Sequence, residues 1–293
     1  EQFGNVSPLY NSLAKYKREP LPYVPDEPYL YAKIDLLEKV EAMPKPTDIS
    51  LPTVEQCVFG DPDDPYVDGV KSKSSPGPLL KQIDFIMKAR IFETRDVNSP
   101  AFRKFKSMFL EQEKRLREGK RINDFFSFNL KAELVSQEKW ELGKTRGFFG
   151  AGMLTVALFN KYFGRFMCMF AEQGLEMNTA IGMNCLSLDW ESLVQKLRKF
   201  DDRVYPHVSD GDFASYDCSH QKHLLWDIYD IIDAWYNDAD GASHVRKILW
   251  MEVVNARIVF NKCIFSLAVG MTSGISLTTV INCLINLFLH RYA

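Results

Sequence analysis

The chain has few cysteines and no two of them form a motif. Cys57, Cys168, Cys185, Cys218, Cys263 and Cys283 are scattered over 293 residues without a Cys-x-x-Cys spacing. That pattern indicates neither a disulfide framework nor a zinc ribbon, and a reducing, intracellular setting is the expectation. Long apolar runs are missing too. The longest near the end, VINCLINLFLH, is interrupted by Asn282 and Asn286 and is too short to span a bilayer, and no secretory signal opens the chain. No transmembrane segment is therefore expected. A large net charge is also lacking, since the formal value is −2. The balance hides an asymmetry, however. Lys71 to Arg146 holds 18 Lys and Arg against 10 Asp and Glu, and the chain totals of 36 and 38 leave 18 against 28 elsewhere. A basic part beside an acidic part suits an enzyme that handles polyanions with metal ions, because phosphates attract cations and divalent metals take carboxylate oxygens. Solvated helix faces would produce the same count.

At this length, a hydrophobic content of 46% can bury a sizeable core in more than one lobe. The first 80 residues carry PLPYVPDEPYL and GDPDDPYVDGVKSKSSPGPLL, rich in Pro, Gly and Asp, which predicts extended strands and ordered loops with few helices and little core. From Ser99 the signals sharpen. Ser99 is placed to cap a helix, Pro100 takes its first position, Phe102, Phe105, Met108, Phe109 and Leu116 recur at helical spacing, and Gly119 ends it. Its other face carries Arg103, Lys104, Lys106, Lys114, Arg115 and Arg117. NDFFSFNLKAELV then reads as strand, GKTRGFFG as a basic turn, and residues from about 153 to 171 as a long apolar helix.

The stretch DGDFASYDCSHQ, residues 210–221, sets Asp212 and Asp217 five apart. In a continuous helix or strand that separation takes two side chains off a common face, so a strand turning into a helix between them is what would bring both to one cleft. Ser219 is the expected cap of a helix with Leu224, Ile228, Ile231 and Trp235 on one face. Further on, ARIVFNKCIFSLAV reads as a hairpin turning near Asn261 and Lys262, followed by the tight loop GMTSGIS and the helix SLTTVINCLINLFL. Thr278, Asn282 and Asn286 share one face of that helix, which either meets something polar or makes ordinary hydrogen bonds in a helical core. His220 and His223 are expected at surface positions, Phe125, Phe126, Phe148 and Phe149 in the core rather than stacked on bases, and Asp210 in a loop.

Taken in order, these segments resemble the RNA-dependent RNA polymerases of picornavirus-like positive-strand RNA viruses. DFASYDCS, 212–219, is similar to motif A of that family. GMTSGISLTTVIN, 270–282, is similar to motif B, with Thr272 where the family has proline. LKAELVSQEKWELGKTR, 130–146, resembles the basic fingers motif F, with Val135 where a basic residue often stands. SSPGP, 74–78, resembles the loop that admits the template, and IGMNCLSLDWESL, 181–193, the segment leading into the palm.

The resemblance implies an α+β right-hand polymerase fold: fingers over 1–155, palm over 156–235, a return to the fingers over 236–268, and a palm loop with a truncated helix over 269–293. No GDD motif occurs, so the expectation is an incomplete polymerase without its thumb, inactive alone, whose basic region still binds RNA. By the same resemblance Asp212 is catalytic and holds Mg2+, with Mn2+ as a substitute, and Asp217 orients the ribose of the incoming nucleotide. Ser273, Thr278 and Asn282 join Asp217 around the 2′-hydroxyl. Lys131, Lys144 and Arg146 clamp the triphosphate, while Ser74, Ser75, Pro76, Gly77 and Lys139 contact RNA. The implied partners are an RNA template and primer, ribonucleoside triphosphates and a viral protein primer. The implied location is the host cytoplasm at membrane-associated replication sites. The competing readings are another palm polymerase, such as a reverse transcriptase, and a non-catalytic RNA-binding fragment.

Overall fold

The computed structural model describes residues 7–84, 86–199, 210–260 and 263–293. Helices dominate. In chain order they are α1 (Pro8–Ala14), α2 (Glu27–Glu41), α3 (Val54–Phe59), α4 (Pro78–Ile83), α5 (Met87–Thr94), α6 (Pro100–Arg117), α7 (Gln137–Glu141), α8 (Met153–Glu172), α9 (Asp189–Arg198), α10 (Lys222–Tyr236), α11 (Ser243–Val254) and α12 (Thr278–Tyr292). The strands are β1 (Phe126–Leu130), β2 (Gly147–Gly150), β3 (Ile258–Phe260) and β4 (Cys263–Phe265). This is the α+β class expected. Among the described residues no helix is long and apolar enough to cross a membrane.

Over residues 7–80 helices stand where strands were expected, while 17–26, 42–53 and 60–77 are the expected loops, and α2 alone spans 15 residues. Asp26 caps it by accepting from the Tyr29 amide, and Pro28 sits in the first turn, where its missing N–H costs nothing. Tyr29, Ala32, Leu36 and Val40 then form a buried stripe that packs on α10 and α12. In α3, Thr53 and Gln56 form a reciprocal capping box, and Val54, Cys57 and Val58 are buried. The segment thus contributes to the core instead of skirting it.

Farther along, the expected helices form. The Ser99 hydroxyl accepts from the Phe102 amide, Pro100 opens α6, and Phe102, Phe105, Phe109 and Leu116 are buried. α8 is apolar nearly all round, as a helix enclosed on every side must be, and it packs against α3, α6, α10, α11 and α12. Leu224, Ile228, Ile231 and Trp235 are buried along α10.

The single sheet among the described residues runs in the order β2-β1-β3-β4. β1 pairs antiparallel with β2, Phe128 opposite Phe149, and parallel with β3, Phe126 opposite Ile258. β3 and β4 form the expected antiparallel pair, whose predicted turn at Asn261 and Lys262 lies outside the described residues. Phe126 and Phe149 are buried, Phe125 is half-buried under the Arg257 guanidinium, and Phe148 is exposed, unlike the other three.

Candidate nucleotide and RNA site

The Asp212–Asp217 segment is not the strand, turn and helix expected. Residues 210–213 carry no regular structure, Ser215 reverses the chain in the left-handed region with φ 56°, and Tyr216–Cys218 form one 3-10 turn. The Ser219 hydroxyl closes that turn by donating to the Tyr216 carbonyl at 2.7 Å instead of capping α10, whose N-cap is Gln221. A neighbouring segment explains the delay. Gly270 N donates to the His220 carbonyl at 2.8 Å and Met271 N to the Asp217 carbonyl at 2.9 Å, engaging backbone groups before α10 begins. This close approach needs glycine: Gly270 has φ 94°, and a Cβ there would sit 2.9 Å from the Asp217 carbonyl oxygen.

The two resembling motifs meet through side chains. Asn282 Nδ2 donates to Asp217 Oδ1 at 2.8 Å, and Asn282 Oδ1 lies 2.9 Å from His220 Nε2. The Tyr216 hydroxyl donates to the Asn282 backbone carbonyl at 3.3 Å. His220 is therefore not a surface residue. It is 2% exposed, and burial pushes its imidazole below its ordinary pKa. The ring is held edge-on by Tyr216, with centroids 4.5 Å apart. His223 is half-buried and packs on the Tyr23 ring. Asp210 lies in an exposed loop, as expected.

Other predicted members of this cluster turn elsewhere. The Thr278 hydroxyl donates to the Ile275 carbonyl at 2.9 Å at the start of its own helix, and Ser273 Oγ accepts from Phe149 N at 3.4 Å. Neither hydrogen-bonds Asp217, so the four-residue network reduces to Asp217 and Asn282 with His220 added. Asn286 Oδ1 and Thr272 Oγ1 are buried without a hydrogen-bond partner among the described residues. Asp212 stands exposed beside Phe213, whose ring stacks on Tyr216. Below the cluster, the Tyr16 hydroxyl meets the Cys218 thiol, and burial raises the pKa of both groups.

The basic fingers residues surround a second feature. A cavity of about 780 Å³ is lined by Lys15, Glu133, Val135, Lys139, Lys144 and Arg146, and a smaller one of about 200 Å³ by Lys131, Lys139 and Lys144 among others. Lys131, Lys139, Lys144 and Arg146 are exposed. Lys131 N donates to the Arg146 carbonyl at 2.8 Å, which extends the β1–β2 pairing and brings the two ends of the motif together. Arg146 is not free, however. Its Nε lies 3.0 Å from both Glu133 oxygens and its Nη2 2.6 Å from Oε2, and this partner lowers the Glu133 pKa. A phosphate would have to draw the guanidinium from that carboxylate.

The 74–77 loop is anchored from beneath. Ser74 and Ser75 are exposed, Pro76 O accepts from Met153 N at 3.0 Å, and Gly77, with φ 90°, abuts Gly152 so closely that a Cβ would fall 2.2 Å from its Cα. The buried Lys88 Nζ donates to the Ser74 hydroxyl at 2.6 Å and to the carbonyls of Lys71 and Ser74 at 2.8 and 2.9 Å, and burial lowers its pKa to about 8. A cavity of about 720 Å³ separates this loop from the 274–280 segment and is lined by Lys71, Ser74, Asn160, Gly274, Ser276 and Thr279 among others. Asn160 bridges its floor, accepting from Ser276 Oγ at 2.9 Å and donating to the Asp68 carbonyl at 3.1 Å.

His220, Lys15 and Lys88 are the members of these clusters that the sequence did not reveal. Among the described residues no group of three or more His, Cys, Asp or Glu side chains could hold a metal ion. Asp212 supplies one exposed carboxylate, a hard oxygen donor of the type Mg2+ prefers, and no complete ligand set stands beside it among the described residues.

The family model described as viral RNA-dependent RNA polymerase matches residues 1–293. The chain is 26% identical over 256 residues to the replicase polyprotein of Drosophila C virus (strain EB), covering 82% of this chain and 14% of that protein. It is 26% identical over 253 residues to the replicase polyprotein of Acute bee paralysis virus (strain Rothamsted), covering 80% and 12%. For the replicase polyprotein of Cricket paralysis virus the identity is 25%, over 82% of this chain and 14% of that protein. The chain thus spans about one seventh or less of the length of these relatives. With its α+β architecture and its motifs in order along the whole match, the chain belongs to the viral RNA-dependent RNA polymerase family.

Proposed function

We propose that this chain carries part of the centre for template-directed RNA synthesis. The observation that carries the proposal is the hydrogen bond from Asn282 to Asp217, which joins motif A to motif B. In the reaction, the 3′-oxygen of an RNA primer attacks the α-phosphorus of a ribonucleoside triphosphate, the bond to the bridging oxygen breaks, and pyrophosphate leaves. Mg2+, with Mn2+ as a substitute, would neutralise charge on the attacking and leaving oxygens when bound. Asp212 would hold it, with further oxygens from the nucleotide's phosphates.

Asp217 and Asn282 would recognise the ribose 2′-hydroxyl, since a half-buried pair built to hydrogen-bond that group loses this partner when a deoxyribose binds. Lys131, Lys144 and Arg146 would meet the triphosphate, Arg146 exchanging Glu133 for phosphate. Lys15 joins them on the cavity wall. The 74–77 loop, held by Lys88, and Lys139 would contact the RNA backbone, with Ser273 and Thr278 shaping the motif B loop. In domain terms, fingers would cover 1–155 and 236–268, and palm 156–235 and 269–293. The pairing of β3 with β1 supports joining the two fingers pieces. A viral protein primer and membrane-associated sites in the host cytoplasm belong to the same reading by resemblance.

The test is primer extension by a polymerase containing this chain on RNA templates of different sequence. Incorporation of ribonucleotides complementary to each template supports the proposal. RNA binding without template-dependent incorporation would favour a non-catalytic RNA-binding role.

A further inference from the structure

We propose that His220 is a positioning residue, which orients the amide of Asn282 and through it the carboxylate of Asp217 for recognition of a ribose hydroxyl. The consequence for nucleotide choice rests on the sugar-recognition role proposed above for Asp217 and Asn282.

The two ends of an amide are chemically different, and each faces one neighbour here. A carboxylate oxygen offers lone pairs, so the Asn282 atom 2.8 Å from Asp217 Oδ1 is the NH2 nitrogen. The atom facing His220 at 2.9 Å is then the amide oxygen, which can only accept. His220 Nε2 must therefore carry a proton and donate it. If that donor is removed, the Asn282 oxygen loses its protein partner at a half-buried position. Rotation of the amide would then set its carbonyl against the Asp217 carboxylate, two acceptors facing each other.

His220 is itself held in place. Its carbonyl accepts from Gly270 N at 2.8 Å, Tyr216 packs on the ring, and the Tyr216 hydroxyl donates to the Asn282 carbonyl. The ring is thus tied to both segments whose side chains it bridges. An apolar residue could fill the same space, but it could not define which way the Asn282 amide points.

The test compares His220→Leu, His220→Gln and Asn282→Ala in a polymerase containing this chain, reading kcat/KM for ribonucleotides against 2′-deoxyribonucleotides. His220→Leu should reduce the ribo-to-deoxy ratio about tenfold, as loss of one hydrogen bond to a sugar-reading pair would, with the change confined to ribonucleotide use. His220→Gln, whose Nε2 is also a donor, should restore most of the ratio. If Asn282→Ala lowers the ratio and His220→Leu leaves it at the wild-type value, the positioning role is wrong while sugar recognition stands. If Asn282→Ala leaves the ratio unchanged, sugar recognition fails, and the ring's protonation state decides the role of His220 on its own. In wild-type protein labelled with 15N-histidine, His220 should be the Nε2–H form. A neutral ring protonated at Nδ1 instead would overturn the proposal even where the leucine variant fails to fold.

Discussion

Asn282 and Asp217 are 65 residues apart in sequence, yet the amide of one donates to the carboxylate of the other at 2.8 Å. Backbone contacts bring them together. The 270–271 segment hydrogen-bonds to the carbonyls of Asp217 and His220, and α12 begins seven residues later with Asn282 in its second turn. The side-chain bond thus completes a junction that the main chain has already formed. Its geometry is what makes sugar recognition testable.

Replacing Asn282 with alanine should lower ribonucleotide kcat/KM by a factor worth about 1–3 kcal/mol, the cost of a lost hydrogen bond to a carboxylate, and leave deoxyribonucleotide use nearly unchanged. Steady-state kinetics with matched ribo and deoxy substrates measures the difference. Equal losses for both sugars would assign Asn282 a purely structural role.

Gly274 should tolerate no side chain. Its φ is 105°, and a Cβ would lie 2.1 Å from the Phe149 carbonyl oxygen on β2. Gly274→Ala should therefore cost at least about 1–3 kcal/mol in backbone strain alone, with the clash adding to it. Denaturant unfolding measures this cost, and a midpoint equal to wild type would mean that the loop moves away from β2 freely.

A buried carboxylate gives a pH dependence of definite sign. Asp124 lies beneath the start of α8, accepting from the Thr155 hydroxyl at 2.7 Å and from Phe125 N at 2.8 Å. Burial raises its pKa from 3.8 to about 6, although these hydrogen bonds oppose the shift. Between those values the folded chain holds a proton that the unfolded chain has released. Stability from this group is therefore full below the unfolded value and falls as pH rises through about 6, by on the order of 3 kcal/mol for a shift of this size. In Asp124→Asn that fall should vanish from the difference between unfolding free energies measured near pH ~4 and pH ~7. A variant profile parallel to wild type would contradict the buried titration.

Much of this was legible because local signals agreed. Ser99, Pro100 and the recurring phenylalanines point to the same helix, α6, and the apolar run of α8 is helical wherever it packs. The link between Asp217 and Asn282 was legible through motif resemblance. What was missed depends on distant partners. Pro28 belongs to a proline-rich stretch that looks like loop, but it occupies the first turn of α2, where proline is favoured, and the stripe behind it is buried only because α10 and α12 cover it. His220 looks like an exposed helix residue until Gly270 takes its carbonyl and delays α10. Lys88 and Lys15 carry no local mark of their roles, and Arg146 gives no sign in its motif spacing that Glu133 already holds it.

The proposed function requires Asp212 to act as a metal-binding carboxylate for nucleotidyl transfer. The most direct measurement is primer extension by a polymerase containing this chain, wild type beside Asp212→Asn, over a magnesium or manganese titration, with RNA affinity measured on the same samples. The expected result is loss of metal-dependent extension at every metal concentration with RNA affinity nearly intact, because the exposed Asp212 contributes little to the fold. Wild-type turnover by Asp212→Asn under saturating magnesium would contradict the claim.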